Sequence, residues 1–391
     1  MKEWHKLTLI AGVFLAAYFI PFNNTAVQVS ILEAFHMLQE YAREHVLFCL
    51  VPALFIAGGI STFVSQGAVL KYFGGGAPKH LTYSVASISG GILAVCSCTV
   101  LPLFAGIWKK GAGIGPATTF LYSGPAINIL AIVLTARVLG WQLGLARAVG
   151  AVLFAVVIGL LMALIYRREE AEKAKATIGQ MFEQEERRSP GQNVFYFAVL
   201  VFILIFAALG RPQEAIGFWH FIFGIKWYLV VILLGILAFI LVRWFEDYER
   251  LNWVDATWNF AKQILPLLFG GVLVAGLLMG RPGVDAGLIP SGVIEAAVGG
   301  NTLQANFVAS VVGAFMYFAT LTEIPIMQGL LGLGMGQGPA LALLLAGPAL
   351  SLPSMLVIRS ILGTQKTLVY ASLVIVMSTL AGLLYGAIFP G

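Results

Sequence analysis

Two thiols stand close together inside an apolar run. The stretch ILAVCSCTVLPLF (Ile92 to Phe104) carries Cys96 and Cys98, with Ser97 and Thr99 beside them and Pro102 one turn on. Thiols suit soft, thiophilic species. The spacing resists a shared ligand, because residues two apart on a regular helix differ by about 200° in azimuth. Either the chain unwinds between Cys96 and Pro102, or only one sulfur faces a pathway. Cysteine is also a small hydrophobe, and packing is the alternative role. Pro102 removes the hydrogen bond to the carbonyl four residues back, that of Cys98. C-x-C lacks the paired C-x-x-C spacing of zinc sites, so no metal site and no cofactor are expected.

Glu323 is the second chemically singular residue. No Asp or Glu lies between Glu44 and Glu169, and Glu323 is the only acid after Glu295. A carboxylate in an apolar segment costs several kcal/mol unless paired or neutralised. It is read either as a proton-coupling group in a central cavity or as an interfacial residue at a helix end. The SGPAIN segment places Ser123 and Asn128 around Pro125, and Ser351 and Pro348 recur in GPALS. These polar groups either bind cargo or satisfy backbone exposed at a helix break. By the proline rule the freed carbonyls are those of Leu121, Leu321 and Leu344, behind Pro125, Pro325 and Pro348. Arg137, Arg147 and Arg359 are expected near helix ends, snorkelling to the interface.

Enzyme signatures are missing. The five histidines form no H-E-x-x-H and no G-x-S-x-G occurs, so no catalytic residue is assigned and an intramembrane enzyme is the weakest class. GAGIGP and GMGQGP lack the following Gly-Lys-Ser/Thr of a phosphate loop, and their glycines are read as turn or packing residues.

These residues need elements to hold them, and composition names the kind. Of 391 residues 59% are hydrophobic and only 10% charged, far from the soluble norm. Apolar windows of about twenty residues recur throughout, enough to cross a bilayer core of roughly 30 Å. An all-α polytopic membrane protein is expected, with about ten transmembrane helices, between nine and eleven. The net charge of +5 sits in loops, where it orients the chain, and implies no nucleic acid. The expected organisation is an N-terminal helix and loop (1–41), a membrane unit (42–166), a charged cytoplasmic linker (167–192), two connecting helices (193–256) and a second membrane unit (257–391). The linker's six Lys/Arg between Arg167 and Gly191 favour the cytoplasmic side.

The two units repeat each other. Val85–Gln142 lies ungapped over Val308–Gln365, an offset of 223, with 19 of 58 positions identical. The matches fall mostly on Gly, Pro and Ala, including Gly111/Gly334, Gly113/Gly336, Pro116/Pro339 and Pro125/Pro348. Two homologous repeats with Pro/Gly-broken helices are a transporter design, with the site near the repeat interface. Glu323 then occupies the counterpart of Val100, so one unit brings thiols and the other an acid. A passive channel is the alternative.

CSCTVLP followed by SGPAIN resembles the predicted-permease family that includes the trivalent organoarsenical efflux permeases (ArsP-type). The likeness runs from about Arg43 to Phe389. It implies a multi-pass permease of the inner (cell) membrane, exporting a small soft-metalloid compound in some members. Carried over by position, its motif residues are Cys96, Ser97, Cys98, Pro102, Ser123, Pro125 and Asn128. Thr99 departs from the pattern, standing where glycine is expected. The implied partners are a small-molecule substrate and the lipid bilayer; self-association stays open.

Overall fold

The structure is a computed structural model that describes residues 11, 14, 18, 21–64, 73, 78–93, 97–178, 190–209, 218–281, 284, 286–289, 292, 297–316, 323–332 and 334–389. Helix α1 (Thr25–Tyr41) runs through a π-helical segment (Ala42–Leu50) into α2 (Val51–Phe63). The wide turn, with Val51 N–H bonded to the carbonyl of Val46, accommodates the ring of Pro52 that follows. Thus 25–41, expected in part as loop, is wound. The expected helix at 7–22 falls mostly outside the described residues.

Then come α3 (Lys79–Leu93), α4 (Ser97–Lys109), α5 (Ile114–Ala126), α6 (Ile129–Val138), α7 (Trp141–Ile165) and α8 (Arg167–Ile178). They are followed by α9 (Pro190–Ala208), α10 (Phe218–Trp244) and α11 (Asp247–Met279), and then α12 (Leu303–Phe315), α13 (Glu323–Gly332), α14 (Gln337–Ala346), α15 (Leu352–Leu362) and α16 (Thr364–Ile388). Among the described residues the only β pairing is an isolated bridge of Gly299 and Gly300 with Met335.

Among the described residues six helical stretches are long and apolar enough to cross a membrane. A seventh crossing results if Ile114–Ala126 and Ala131–Val138, bent by 45°, form one span. Ten full-length spans are not found among the described residues. The apolar stretches 112–138, 303–331 and 338–361 each hold two short helices. Thirteen residues of helix reach only about 20 Å, short of the roughly 30 Å needed. Hydropathy windows register the apolar run but not the break inside it.

The bundle's outer face is apolar. Val231, Ile232, Phe239 and Val242 on α10 are exposed, as a lipid-facing helix requires. Inside, α5 packs between α3 and α7, α14 between α12 and α16, and α11 lies along α1 and α2. The two ends of the chain interlock. Helix α7 meets α14 and α16, α4 meets α15, and α6 meets α13.

Helix boundaries recur along the chain. Helices α7 and α16 both have 25 residues, with starts and ends offset by 223. The turns before α5 and α14 are alike. Gly111 N–H bonds Trp108 O at 3.0 Å and Ala112 N–H bonds Ile107 O at 3.2 Å; Gly334 bonds Leu331 at 3.1 Å and Met335 bonds Leu330 at 3.0 Å. Gly111 (φ 92°) and Gly334 (φ 99°) hold the left-handed conformation that ends a helix and favours glycine.

Candidate transport site at the helix breaks

Two helices begin inside the bundle. Asn128 Oδ1 accepts the Ala131 N–H at 3.2 Å, capping α6, and Ser351 Oγ accepts the Ser354 N–H at 3.2 Å, capping α15. These are the two positions that the sequence alignment pairs. Both side chains satisfy backbone opened by a break, and each leaves a helix N-terminus, the positive end of its dipole, within the protein. Ser123 is fully buried at the end of α5 and donates to the carbonyls of Phe120 (3.2 Å) and Ala86 (3.3 Å). Pro125 is buried in the last turn of α5.

The thiol segment is partly outside the described residues. Cys96 lies there, as do the side chains of Ser97 and Cys98. The backbone is helical from Ser97, with Pro102 inside α4, so the expected unwinding between Cys96 and Pro102 is not found from Ser97 onward, Cys96 itself lying outside the described residues. The helix continues past the carbonyl of Cys98 that Pro102 leaves unbonded, a defect membrane helices tolerate where protein surrounds them. Thr99 is buried with no exposed surface, and α4 packs on α15 beyond Ser351. Pro325 lies within α13, whose described residues run from Glu323 to Gly332.

Glu323, on α13, is paired. Its Oε1 accepts from Nη2 of Arg147, and each side chain is only 1% exposed. Arg147 was expected to snorkel; instead it is wholly interior, because α7 presses against α6 there. A Cβ at Gly144 would lie 2.5 Å from Cβ of Ala136, so glycine permits the approach. One turn on, Arg147 Nη1 donates to Oγ1 of Thr135 at 2.8 Å, and Thr135 donates to the carbonyl of Ala131 at 2.7 Å. The charge is thereby held by α6 on one side and α13 on the other. Arg147 also acts electrostatically on Tyr122, and Tyr122 on Tyr370. Tyr122 donates to the carbonyl of Leu345 at 3.1 Å, its own partner in the 223 offset. Arg147 Nε and the Tyr370 hydroxyl are buried with no hydrogen-bond partner among the described residues.

Sequence reasoning missed Arg147, Thr135 and Tyr122. The signal was available for the arginine. A basic residue in the apolar run 141–165 merits the same attention as an isolated acid.

The linker is tied to the bundle. Glu170 Oε2 accepts the Ile114 N–H at 3.0 Å, capping α5, while Glu169 pairs with Lys366 in the first turn of α16. Burial, and then the nearby Glu169 carboxylate, push the Tyr166 hydroxyl above its usual range. No group of three or more His, Cys, Asp or Glu among the described residues could hold a metal.

Two relatives and one family resemble the chain over most of its length. The chain is 43% identical over 351 residues to the UPF0718 protein MJ0584 of Methanocaldococcus jannaschii, covering 89% of this chain and 94% of that protein. It is 24% identical over 288 residues to the UPF0718 protein YraQ of Escherichia coli, covering 74% of this chain and 63% of that one. No solved structure gives a significant match. A family described as a predicted permease (ArsP_1) matches residues 30–387, and with apolar helices of spanning length the chain belongs to that membrane permease family.

Proposed function

We propose that the protein is a secondary transporter, not an enzyme. Its proposed cargo is a small soft-metalloid compound such as a trivalent organoarsenical, exported across the inner (cell) membrane. One observation carries the permease reading: two helices start inside the bundle, at Asn128 and Ser351, at positions offset by 223. Paired broken helices are how many transporters build a site near the membrane midplane. We further read the chain as two copies of one unit. The alignment, the matched glycine turns and the equal lengths of α7 and α16 support this.

Cys96 and Cys98 supply the thiophilic chemistry in this reading, with Ser97, Thr99 and Pro102 shaping their segment and Ser123, Pro125, Asn128 and Ser351 lining the breaks. Glu323 is the coupling carboxylate. It stands alone among acids in its part of the chain and sits fully buried. Uptake of methylarsenite into everted vesicles tests the proposal. Accumulation that collapses with a protonophore supports a proton-coupled exporter. Equilibration without concentration points to a channel, and no uptake in wild type removes the metalloid cargo. Cysteine-to-alanine variants that transport normally would remove the thiols from the site.

A further inference from the structure

Arg147 has no role in the reading above, yet with Glu323 it is one of the two most fully buried charged side chains among the described residues. A guanidinium keeps its proton throughout the biological pH range. Inside the bundle it needs a permanent counter-charge, and Glu323 supplies it across the contact between α7 and α13. Removing one member of such a pair strands the other, whereas replacing both with apolar groups is often harmless to folding.

The counterpart positions carry no charge. Shifted by 223, Arg147, Thr135 and Val100 become Tyr370, Ile358 and Glu323. The corresponding helices α16, α15 and α4 carry Tyr370, Ile358 and Val100 there, all buried and none ionised, and α15 packs on both α16 and α4. Buried aromatic and aliphatic side chains stand where the other three helices hold Arg147, Thr135 and Glu323.

We propose that Arg147 is the positioning residue for Glu323, making the contact between α7 and α13 depend on the protonation of that one carboxyl. The inference deepens the proposed coupling role of Glu323 and rests on it. With Glu323 ionised, the pair joins the first part of the bundle to the second. A proton on Glu323 removes one charge, Arg147 is left uncompensated, and α13 separates from α6 and α7. Few other groups compete for this control. Of the elements packed on α13, α14 carries no titratable side chain and α6 carries only Arg137, which is exposed. Around Arg147 stand Tyr122 on α5 and, through it, Tyr370 on α16.

Hydrogen exchange of the protein in lipid nanodiscs tests this without any cargo, after correction for the intrinsic pH dependence of exchange. In wild type, amides of α13 and α6 should exchange at least about tenfold faster at pH 5 than at pH 8, since a stranded buried charge is worth more than that factor. Glu323→Gln should exchange at the faster rate at both pH values. The double variant Arg147→Tyr/Glu323→Val, which copies the uncharged seam, should stay protected and lose the pH response. Arg147→Lys should keep the response with a shifted midpoint. Two results overturn the proposal: wild-type exchange that is the same at both pH values, or a double variant that retains the wild-type response. A vesicle assay without arsenical uptake would count against the cargo and leave these outcomes intact. Pair-independent exchange together with proton-driven uptake would keep the coupling carboxylate and discard Arg147.

Discussion

Two seams of the bundle invite comparison. Where α7 meets α6 and α13, the interior holds Arg147, Thr135 and Glu323 in one connected hydrogen-bonded group. Where α16 meets α15 and α4, the residues at the same offset are Tyr370, Ile358 and Val100, buried without a charge. The backbone surroundings match closely, down to the glycine before each long helix, Gly140 (φ 107°) and Gly363 (φ 87°). The buried side chains differ, charged in one and uncharged in the other. The lesson is that equal scaffolds can be loaded unequally, and that the loaded one is where function is to be sought.

The comparison can be broken at several points, beginning with the largest effect. Glu323→Ala leaves Arg147 stranded and should destabilise by about 3–5 kcal/mol, while Arg147→Tyr/Glu323→Val should recover most of that loss. Thermal unfolding in detergent measures both, and a double variant no more stable than the single one would show that this seam does need its charges. Ile358→Ala, in the uncharged seam, should cost about 2–5 kcal/mol through the cavity it leaves, at all pH values alike. Thr135→Val keeps the shape and removes the acceptor for Arg147, a hydrogen bond to a charged group worth about 1.5–3 kcal/mol. Its loss should steepen at the pH where Glu323 is ionised if the three groups act together. Tyr370→Phe deletes a hydroxyl with no partner among the described residues. It should change stability by less than about 0.5 kcal/mol, and a larger loss would show that the hydroxyl has a bonded role.

Much of the fold was legible beforehand, and the misses share a cause. Membrane class, helical content and the recurrence at 223 followed from apolar runs and from the placement of Gly and Pro. Fewer full-length spans stand among the described residues than hydropathy leads one to expect, because hydropathy sums over a window and ignores where the backbone stops. The glycines and prolines that mark those breaks were identified as helix breakers, but hydropathy counted the runs they interrupt as single spans.

The site divides the same way. Asn128 and Ser351 were singled out with two roles open, cargo binding or repair of exposed backbone, and the structure shows the capping bond each makes. Glu323 was conspicuous from its isolation, since a lone acid in an apolar run has few innocuous explanations. Its partner was not, because Arg147 is 176 residues away in sequence and no local pattern joins them.

What the chain determined by itself is therefore the set of elements and the unusual residues they carry. Periodicity, apolar length and helix-breaking residues act over a turn or a span, within reach of a local reading. Which charges meet was decided only by the tertiary structure. It required α7 to approach α6 closely at Gly144 and α13 to cross onto the same place. An ion pair's energy depends on a few ångströms of separation and on the water excluded around it, and neither quantity exists until distant helices have packed.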